Sequence, residues 1–418
     1  MFIKFENTVV VIALLFFAAG GFSFLFASGQ ENAMEGDTMA LLVQIVIYSL
    51  ACVCMIGCRR KILIASSGMP SVCALILLAL LSALWSGAPL LTIRRSPVLL
   101  ATTLFGIYFG AMFQRKRQLT LLATSLALVA IMSLFFAVWF PSFGISSDAV
   151  HAGDWQGIFD TKNGLAKAMS LSCLVFMLLP CETRLLRLCG LLLSASLVIA
   201  SGSRTGIMVC VILVACYLIC RARWWRGTLL GPIVLILTLT LLLLGYWMGA
   251  SLHPLFAFLG RDASLTGRDD LWAAVIRAIG RRPWLGYGFD AVWTRPFSGV
   301  AMTIQQQTGW DSPHSHNGFL DLALDLGLVG VGIFLSGLVV HLFKAVTAVR
   351  QSREKRALWP LMYLSFLIFY NLTESSLLTV NSLYWVLYVS VAVSLASRPF
   401  PVDDRCLHGK GEVSRCPA

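Results

Sequence analysis

The residues that could carry chemistry concentrate at positions 251–317, between two long apolar runs. This stretch mixes Arg, Asp, Trp, Gly and His, and it ends in His314-Ser-His316-Asn317. An imidazole can take a proton from a hydroxyl group near neutral pH, which is the work of a general base. His314 and His316 are therefore candidate bases, although a histidine at such a position more often only forms a hydrogen bond at a helix end.

Carboxylates occur close to these histidines in the sequence and again about 60 residues later. Asp321 and Asp325 lie one turn apart on one face of the apolar segment that follows. Glu374 lies in a later polar loop. A carboxylate beside a histidine can orient the ring and raise its basicity, so these groups are candidates for that role.

A helix is predicted to begin at Thr266, which can cap the first turn, with Asp269 three residues on. We expect it to end at about Arg281. Its apolar face holds Leu271, Trp272, Val275 and Ile279. Arg268 falls on that face and Arg277 falls opposite. A cation on a buried face needs an anionic partner, which could be a structural carboxylate or a bound anion.

The next run, residues 283–290 (PWLGYGFD), is a turn interrupted by glycines, and it would let backbone approach a ligand or a neighbouring loop. Trp284, Tyr287, Trp293 and Trp310 could stack on sugar rings. Anchoring at a membrane interface is the alternative role for each of these aromatic residues.

The elements that must position these groups are predicted to be membrane-spanning helices. The chain has 418 residues, of which 58% are hydrophobic and 12% are charged, whereas a soluble domain carries about 25% charged residues. This composition predicts an all-α, polytopic membrane protein of about 12 transmembrane helices. The apolar windows are 8–28, 39–58, 66–86, 97–113, 119–139, 164–180, 187–203, 205–220, 229–250, 317–341, 358–373 and 379–397.

Charge predicts how these spans are oriented. A net charge of +12 would favour a nucleic-acid partner in a soluble protein. In a membrane protein Lys and Arg collect in cytoplasmic loops, so we expect no nucleic-acid partner and cytoplasmic amino and carboxyl termini. The chain then divides into nine spans in residues 1–250, a large outer loop at 251–316, three spans in 317–397, and a tail at 398–418 that has the composition of a disordered segment. No cysteine falls in a predicted outer loop, as an oxidising compartment would favour.

Five cations depart from this charge rule because they lie in or beside short outer loops. They are Arg94, Arg95, Lys162, Lys167 and Arg204. Contact with lipid headgroups is one explanation for any single member of the set. Five such cations beside the large loop favour the alternative, an outer surface that attracts anions.

Several of these segments together resemble the O-antigen ligase and polysaccharide polymerase family (Wzy/WaaL-like), particularly its ExoQ-like branch. The segments are 155–163 (WQGIFDTKN), 201–205 (SGSRT), 266–272 (TGRDDLW), 283–288 (PWLGYG) and 314–320 (HSHNGFL). His316-Asn317 is followed after nine residues by Gly327 and after two more by Gly330, the spacing of the family. Val331 departs from the Gly, Thr or Tyr of many ligases, which weakens a ligase assignment.

The resemblance implies a glycosyltransferase of the bacterial inner membrane that acts at the periplasmic face without a cofactor, a metal or a nucleotide sugar. The donor would be an oligosaccharide on undecaprenyl diphosphate, and the acceptor a glycan or lipid A-core. Further partners would be the lipid bilayer, a flippase and a chain-length regulator. The family's functional positions correspond to His316 as base and to Arg204 and Arg268 as stabilisers of the departing diphosphate. Candidate substrate-binding residues are Arg94, Arg95, Lys162, His314, Asn317, Asp321 and Glu374.

Three functions remain open from the sequence. A polymerase would join lipid-linked repeat units, whereas a ligase would move the finished glycan onto lipid A-core. A permease or lipid-glycan flippase is the alternative of a different class. No predicted span carries an ionisable residue near its middle, which counts against an ion-coupled transporter.

Overall fold

The computed structural model describes residues 2–19, 33–147, 152–179, 184–221, 268–293, 299–352 and 354–396. These residues form helices and connecting loops, and the pairing of extended chain among them is one isolated bridge between Ile145 and Trp155. The predicted all-α class is confirmed for this part of the chain. The window at 229–250 and the tail at 398–418 lie outside it.

Most of the helices follow the predicted apolar windows in order. The helices are α1 (Phe2–Ala18), α2 (Ala33–Ile56), α3 (Arg59–Ser67), α4 (Pro70–Leu81), α5 (Pro89–Met112), α6 (Arg115–Trp139), α7 (Lys162–Leu178), α8 (Arg184–Ala200), α9 (Arg204–Arg221), α10 (Arg268–Arg281), α11 (Gly299–Thr308), α12 (Gly318–Gln351), α13 (Trp359–Asn371) and α14 (Leu383–Ala396). Single turns at Ser82–Leu84, Pro141–Gly144 and Lys355–Leu358 connect some of them. Helices α3, α10 and α11 lie between windows.

Among the described residues, four helices are long and apolar enough to cross a bilayer, namely α5, α6, α9 and α12. Helices α2 and α3 meet at 91° and would add a fifth if they form one broken span. The chain is therefore a membrane protein, and the number of about 12 spans stays a prediction. Residues 59–65 lie between two predicted windows, so a loop was expected there. Arg59, Arg60 and Lys61 instead form the first turn of α3, which buries Ile62 and Ala65.

Helix α5 packs closely against α14 in the core. Gly106 and Gly110 of α5 lie four residues apart, which is the small-residue spacing that lets two helices approach closely in a bilayer. A methyl group on Gly106 would stand 2.9 Å from the backbone oxygen of Val386, and one on Gly110 would stand 2.8 Å from that of Ser390. The backbone contact thus depends on glycine at both positions.

Helix α12 is broken at Gly327, whose backbone is left-handed in φ (φ 66°, ψ −170°). The break removes the usual helical acceptors for the next two amides. The Leu328 N–H donates instead to the Pro283 carbonyl at 2.7 Å, and the Val329 N–H donates to the Trp284 carbonyl at 3.2 Å. The segment at 283–288 thereby replaces the missing helical partners.

The same segment also satisfies the carbonyl groups on the other side of the break. The Tyr287 N–H donates to the Leu324 carbonyl at 2.8 Å, and the Gly288 N–H donates to the Asp325 carbonyl at 3.0 Å. Gly286 permits this approach because a β-carbon there would stand 2.4 Å from the Leu324 oxygen. The glycine-punctuated turn predicted from the sequence therefore contacts the broken helix.

Helix α10 agrees with the predicted helix, although Thr266 lies outside the described residues. Leu271, Ala274, Val275 and Ala278 are buried, and they pack with α11 and the start of α12. Arg277 and Arg281 are exposed, whereas the Arg268 side chain keeps only 11% of its surface accessible. The prediction that Arg268 lies on the buried side of this helix and Arg277 on the exposed side is confirmed.

Candidate active site

The centre of the candidate site is the carboxylate of Glu374, which is nearly fully buried. One oxygen, Oε1, accepts a hydrogen bond from Asn163 Nδ2 at 2.8 Å and one from Arg268 Nη2 at 3.3 Å. The other, Oε2, lies 3.4 Å from Nδ1 of His316 and 4.0 Å from Nε2 of His314. A single carboxylate therefore contacts a cation and two imidazoles that come from distant parts of the chain.

The loop after α13 fixes Glu374 in place. The Glu374 N–H donates to the Tyr370 carbonyl at 2.8 Å, which continues the last helical turn by one residue. The buried side chain of Asn371 accepts from the backbone N–H of Ser376 at 2.9 Å and from its hydroxyl at 3.1 Å. These bonds close the loop around Glu374, so its oxygens keep a fixed direction.

The backbone of the histidine loop is strained at the candidate base. His316 has φ of 53°, a left-handed value that costs most residues free energy. Several bonds hold it there: the Ser315 carbonyl accepts from Trp272 Nε1 at 2.9 Å, and the His316 N–H donates to His314 Nδ1 at 3.0 Å. Strain that surrounding contacts enforce is typical of functional positions.

Asn317 and Asp321 support this loop rather than the imidazole rings. Asn317 caps α12, since its side-chain oxygen accepts from the Phe319 and Leu320 amides at 3.0 and 3.3 Å. Asp321 accepts from the Ser315 N–H at 3.1 Å, from Trp293 Nε1 at 2.8 Å and from the Ser375 hydroxyl.

The expected carboxylate beside the histidines is thus Glu374. Asp325 instead accepts a hydrogen bond from the backbone of Asp290.

Arg268 is held at the first residue of α10 by two partners on one loop. Its Nη1 donates to the Thr373 carbonyl at 2.8 Å, and its Nη2 contacts Glu374. Burial lowers the pKa of Arg268 from its usual value, and the negative charge of Glu374 opposes that change. The carboxylate predicted as one possible partner for this inward-facing arginine is therefore present in the structure.

The protonation of the cluster follows from burial and neighbouring charge. Burial alone would raise the pKa of Glu374, but its contacts with His316, His314 and Arg268 prevail and lower that pKa from 4.5 to about 2. Burial, together with the charge of His316, lowers the pKa of His314 from 6.5 to about 3, against the attraction of Glu374. At neutral pH the cluster therefore contains a charged Glu374 and a neutral His314.

The surroundings of His316 would suit the candidate role of general base. Its Nδ1 is buried and, apart from the long contact with Glu374, has no hydrogen-bond partner among the described residues. A proton on Nδ1 would face the carboxylate and leave Nε2 able to accept a proton from a substrate. The ring stacks on Trp310 with centroids 5.2 Å apart and planes 14° apart, and it lies 4.1 Å from the His314 ring centroid. These contacts restrict its orientation.

Ser203, the residue before Arg204, is linked to the cluster through Asn163, a site residue that the sequence analysis did not single out. The hydroxyl of Ser203 donates to Asn163 Oδ1 at 2.9 Å, while Asn163 Nδ2 bonds Glu374. Arg204, the next residue, is exposed at the start of α9 and makes no ion pair with any described residue. Asn163 belongs to the segment 155–163 noted in the sequence, but nothing there indicated a partner 211 positions away.

The remaining predicted cations are not part of this contact network. Arg95 Nη1 lies 2.7 Å from Asp290 Oδ2, and Lys162 Nζ lies 2.7 Å from Asp154 Oδ2, so each has a carboxylate partner. Arg94 is exposed.

Lys167, which the sequence analysis noted only as an exceptional cation, lies closer to the site. Its Nζ donates to the Ser375 carbonyl at 3.3 Å, next to Glu374.

Among the described residues, one group of side chains has the composition and spacing of a metal site. Nitrogen atoms of His314 and His316 and an oxygen of Glu374 all lie within 4.8 Å of one another. Two imidazoles and a carboxylate are ligands that zinc accepts.

Two comparisons with known proteins agree on the kind of protein. The O-antigen ligase family matches residues 189–335, a range that includes Arg204, Arg268, His314 and His316. An 89-residue stretch is 33% identical to the exopolysaccharide production protein ExoQ of Rhizobium meliloti (strain 1021), covering 20% of this chain and 20% of that protein. The aligned part therefore spans about one fifth of the relative.

Proposed function

Because residues 189–335 match the O-antigen ligase family, we propose that the chain is a membrane glycosyltransferase of this kind. In this proposal it joins undecaprenyl-diphosphate-linked oligosaccharide repeat units into exopolysaccharide or O-antigen. The reaction takes place at the periplasmic face of the inner membrane, with both termini of the chain in the cytoplasm. A flippase would deliver the lipid-linked units, and a chain-length regulator would limit the product.

The chemical step is an inverting glycosyl transfer. A hydroxyl oxygen of the acceptor sugar attacks the anomeric carbon of the donor from the side opposite the diphosphate. The new C–O bond forms as the bond to the diphosphate oxygen breaks, and the electron pair leaves with the diphosphate. His316 takes the hydroxyl proton on Nε2, while Glu374 stabilises the resulting imidazolium through Nδ1.

The departing diphosphate gains negative charge that the protein must stabilise. Arg204 is exposed and without a carboxylate partner in the described part of the chain, so it can bind phosphate oxygens directly. Arg268 adds a second, partly buried charge where the dielectric constant is low and the interaction correspondingly strong. Together the two guanidinium groups can do the work that a divalent cation does elsewhere.

One observation carries this proposal: Glu374 contacts both Arg268 and His316 within one buried cluster. A structural salt bridge for Arg268 would need only the carboxylate. It would not require a strained histidine loop that brings an imidazole to the other oxygen. The arrangement fits a base and a charge stabiliser that must keep a fixed separation.

The size distribution of lipid-linked glycans in a strain lacking this chain tests the proposal. We expect glycans of one repeat unit, with long chains restored by the wild-type protein but not by His316→Ala. Normal polymer in the deletion strain would refute the proposed activity. Purified enzyme should also remain active after treatment with EDTA, and a loss that added Mg²⁺ or Zn²⁺ restored would refute the metal-independent mechanism.

A ligase that transfers finished glycan to lipid A-core is the second candidate, and the name of the matching family favours it. The similarity to a protein named for exopolysaccharide production favours the polymerase. Full-length lipid-linked chains that fail to reach lipid A-core in the deletion strain would identify the ligase.

A further inference from the structure

The Glu374 carboxylate divides its two oxygens between different kinds of partner. Oε1 bonds Asn163 and Arg268, whereas Oε2 is directed at the two histidines. The nitrogen of His316 on that side is buried and has no hydrogen bond. Two nitrogen atoms and one oxygen atom that could bind a metal ion therefore lie within 4.8 Å of one another. The second oxygen of the carboxylate, Oε1, is already held by Asn163 and Arg268.

We propose that His314, His316 and Glu374 form a binding site for a divalent cation of the zinc class, and that such an ion inhibits the enzyme. The ion is an inhibitor that enters the catalytic cluster and takes no part in glycosyl transfer. The binding stands on the geometry alone, whereas the inhibition rests on the proposed function.

The distances fit zinc with little movement. Zinc–nitrogen and zinc–oxygen bonds of about 2.0–2.2 Å in tetrahedral geometry separate two ligands by roughly 3.4 Å. His316 Nδ1 and Glu374 Oε2 are already 3.4 Å apart. His314 Nε2, at 4.0 Å from the same oxygen, needs an approach of less than about 1 Å.

The surroundings also resemble those of a metal ligand set. Carboxylates that bind metals have their second oxygen hydrogen-bonded, as Asn163 and Arg268 provide here.

Two features limit the affinity and favour a reversible inhibitor over a resident metal. His314 Nδ1 accepts a hydrogen bond from the His316 N–H, so a neutral His314 carries its proton on Nε2. Zinc at Nε2 moves that proton to Nδ1 and removes the hydrogen bond. The positive charge of Arg268 beside the carboxylate repels the cation.

Inhibition follows from the two nitrogens of His316. An ion on Nδ1 leaves the ring proton on Nε2, the nitrogen that must accept the proton of the acceptor hydroxyl. The same ion neutralises Glu374, which would otherwise stabilise the protonated ring. Base catalysis is therefore lost as long as the ion stays bound.

A direct binding measurement tests the site without any assay of activity. The purified full-length protein is stripped with EDTA, and Zn²⁺ is titrated against a chromophoric chelator. We expect His314→Gln and Glu374→Gln to weaken one zinc site at least about tenfold, which is the loss that even outer-shell changes cause. His408→Gln, in the tail, is the matched control and should bind as the wild type does.

All variants keep the same cysteines, so binding to thiols cancels in the comparison. Intrinsic fluorescence melts identify any variant that is not folded; His314→Asn then replaces His314→Gln. Wild-type affinity in the folded His314 and Glu374 variants would overturn the proposed site.

The inhibition has its own readout. Zn²⁺ should stop polymer formation by the wild-type enzyme, and EDTA should restore it. Zinc that binds the wild type through His314 and Glu374 without slowing transfer would overturn the inhibitory part. A chain that never forms polymer, even without zinc, would instead refute the proposed function, while the binding titration still decides the site.

Discussion

Glu374 and His314 should make the folded protein sensitive to acid. His314 has a folded pKa of about 3 against 6.5 in the unfolded chain, so unfolding takes up a proton below pH 6.5 and stability falls as pH decreases towards 3. Glu374 has a folded pKa of about 2 against 4.5, so its contribution is present above pH 4.5 and is lost as pH falls towards 2. Both effects have the same sign.

We therefore expect the melting temperature of the detergent-solubilised wild type to decrease from pH 7 to pH 3. Glu374→Gln should cost about 3 kcal/mol at pH 7, because it leaves Arg268 buried without its anion. The difference between this variant and the wild type should narrow below pH 4.5, where the wild-type carboxylate loses its advantage. Parallel melting curves across pH would contradict the assigned role of Glu374.

Two arginines of the same helix provide a matched pair of variants. Arg268→Ala should abolish glycan polymerisation, since it removes the charge beside Glu374. Arg277→Ala should keep wild-type activity and change the free energy of unfolding by less than about 0.5 kcal/mol, because this side chain is exposed and donates a hydrogen bond to Gln307 at 2.8 Å, away from Glu374. Chain growth in complementation assays distinguishes them, and equal activity of both variants would remove Arg268 from the mechanism.

The contacts between single residues were the least predictable part of the site. Residue type and the family resemblance together selected His316, Arg268 and Arg204 as candidates. They did not reveal that Asn163 links Ser203 to Glu374, because this link depends on three loops meeting in space. The sequence left Asp321, Asp325 and Glu374 open as the carboxylate beside the imidazoles; in the structure Glu374 lies there, whereas Asp321 bonds the backbone of the loop.

At the scale of elements, the break in α12 depends on glycine. A β-carbon on Gly327 would stand 2.1 Å from the Trp284 carbonyl oxygen, and its φ of 66° disfavours any other residue. We expect Gly327→Ala to destabilise the protein by more than about 2 kcal/mol and to lower the yield of folded protein.

Gly280→Ala is the control for this substitution. Gly280 lies inside α10 with open space around its α-carbon, so alanine there should be neutral or stabilise by up to about 1 kcal/mol. Fluorescence-detected elution and melting of the two variants provide the comparison. A Gly327→Ala protein as stable as Gly280→Ala would mean that the segment at 283–288 does not dock into the break.

The regular elements were predictable because they follow from local pattern. Apolar windows predicted the positions of most of the described helices, with α3 and α11 as exceptions, and a 3.6-residue period predicted the buried face of α10. The break at Gly327 was not predictable, since a helix loses its own hydrogen bonds only where another segment supplies replacements. That segment lies about 40 residues earlier and has no apolar periodicity to indicate its partner.

At the scale of the whole molecule, the candidate site joins segments from the first half of the chain, the large loop and the last loop. Asn163, His316 and Glu374 belong to three such segments, and all three must lie on one side of the bilayer. The prediction of a periplasmic site can therefore be tested with a single orientation measurement.

Cysteines introduced at two exposed positions provide it. Gln306→Cys in α11 should react with a membrane-impermeant maleimide in intact spheroplasts, whereas Arg60→Cys in α3 should react only after lysis. The wild type, labelled in parallel, corrects for its own thiols. The reverse pattern would put the cluster in the cytosol and exclude a donor delivered to the outer face.

The left-handed backbone at His316 should lower the stability of the protein at a residue that the proposed reaction requires. Glycine adopts such a conformation freely, whereas alanine resists it, and both lack the imidazole. We therefore expect the free energy of unfolding of His316→Gly to exceed that of His316→Ala by about 1 kcal/mol, and its melting temperature to be higher. Neither variant should make polymer. The left-handed backbone at His316 therefore costs the protein stability, a cost that the proposed role of the imidazole as the base would explain.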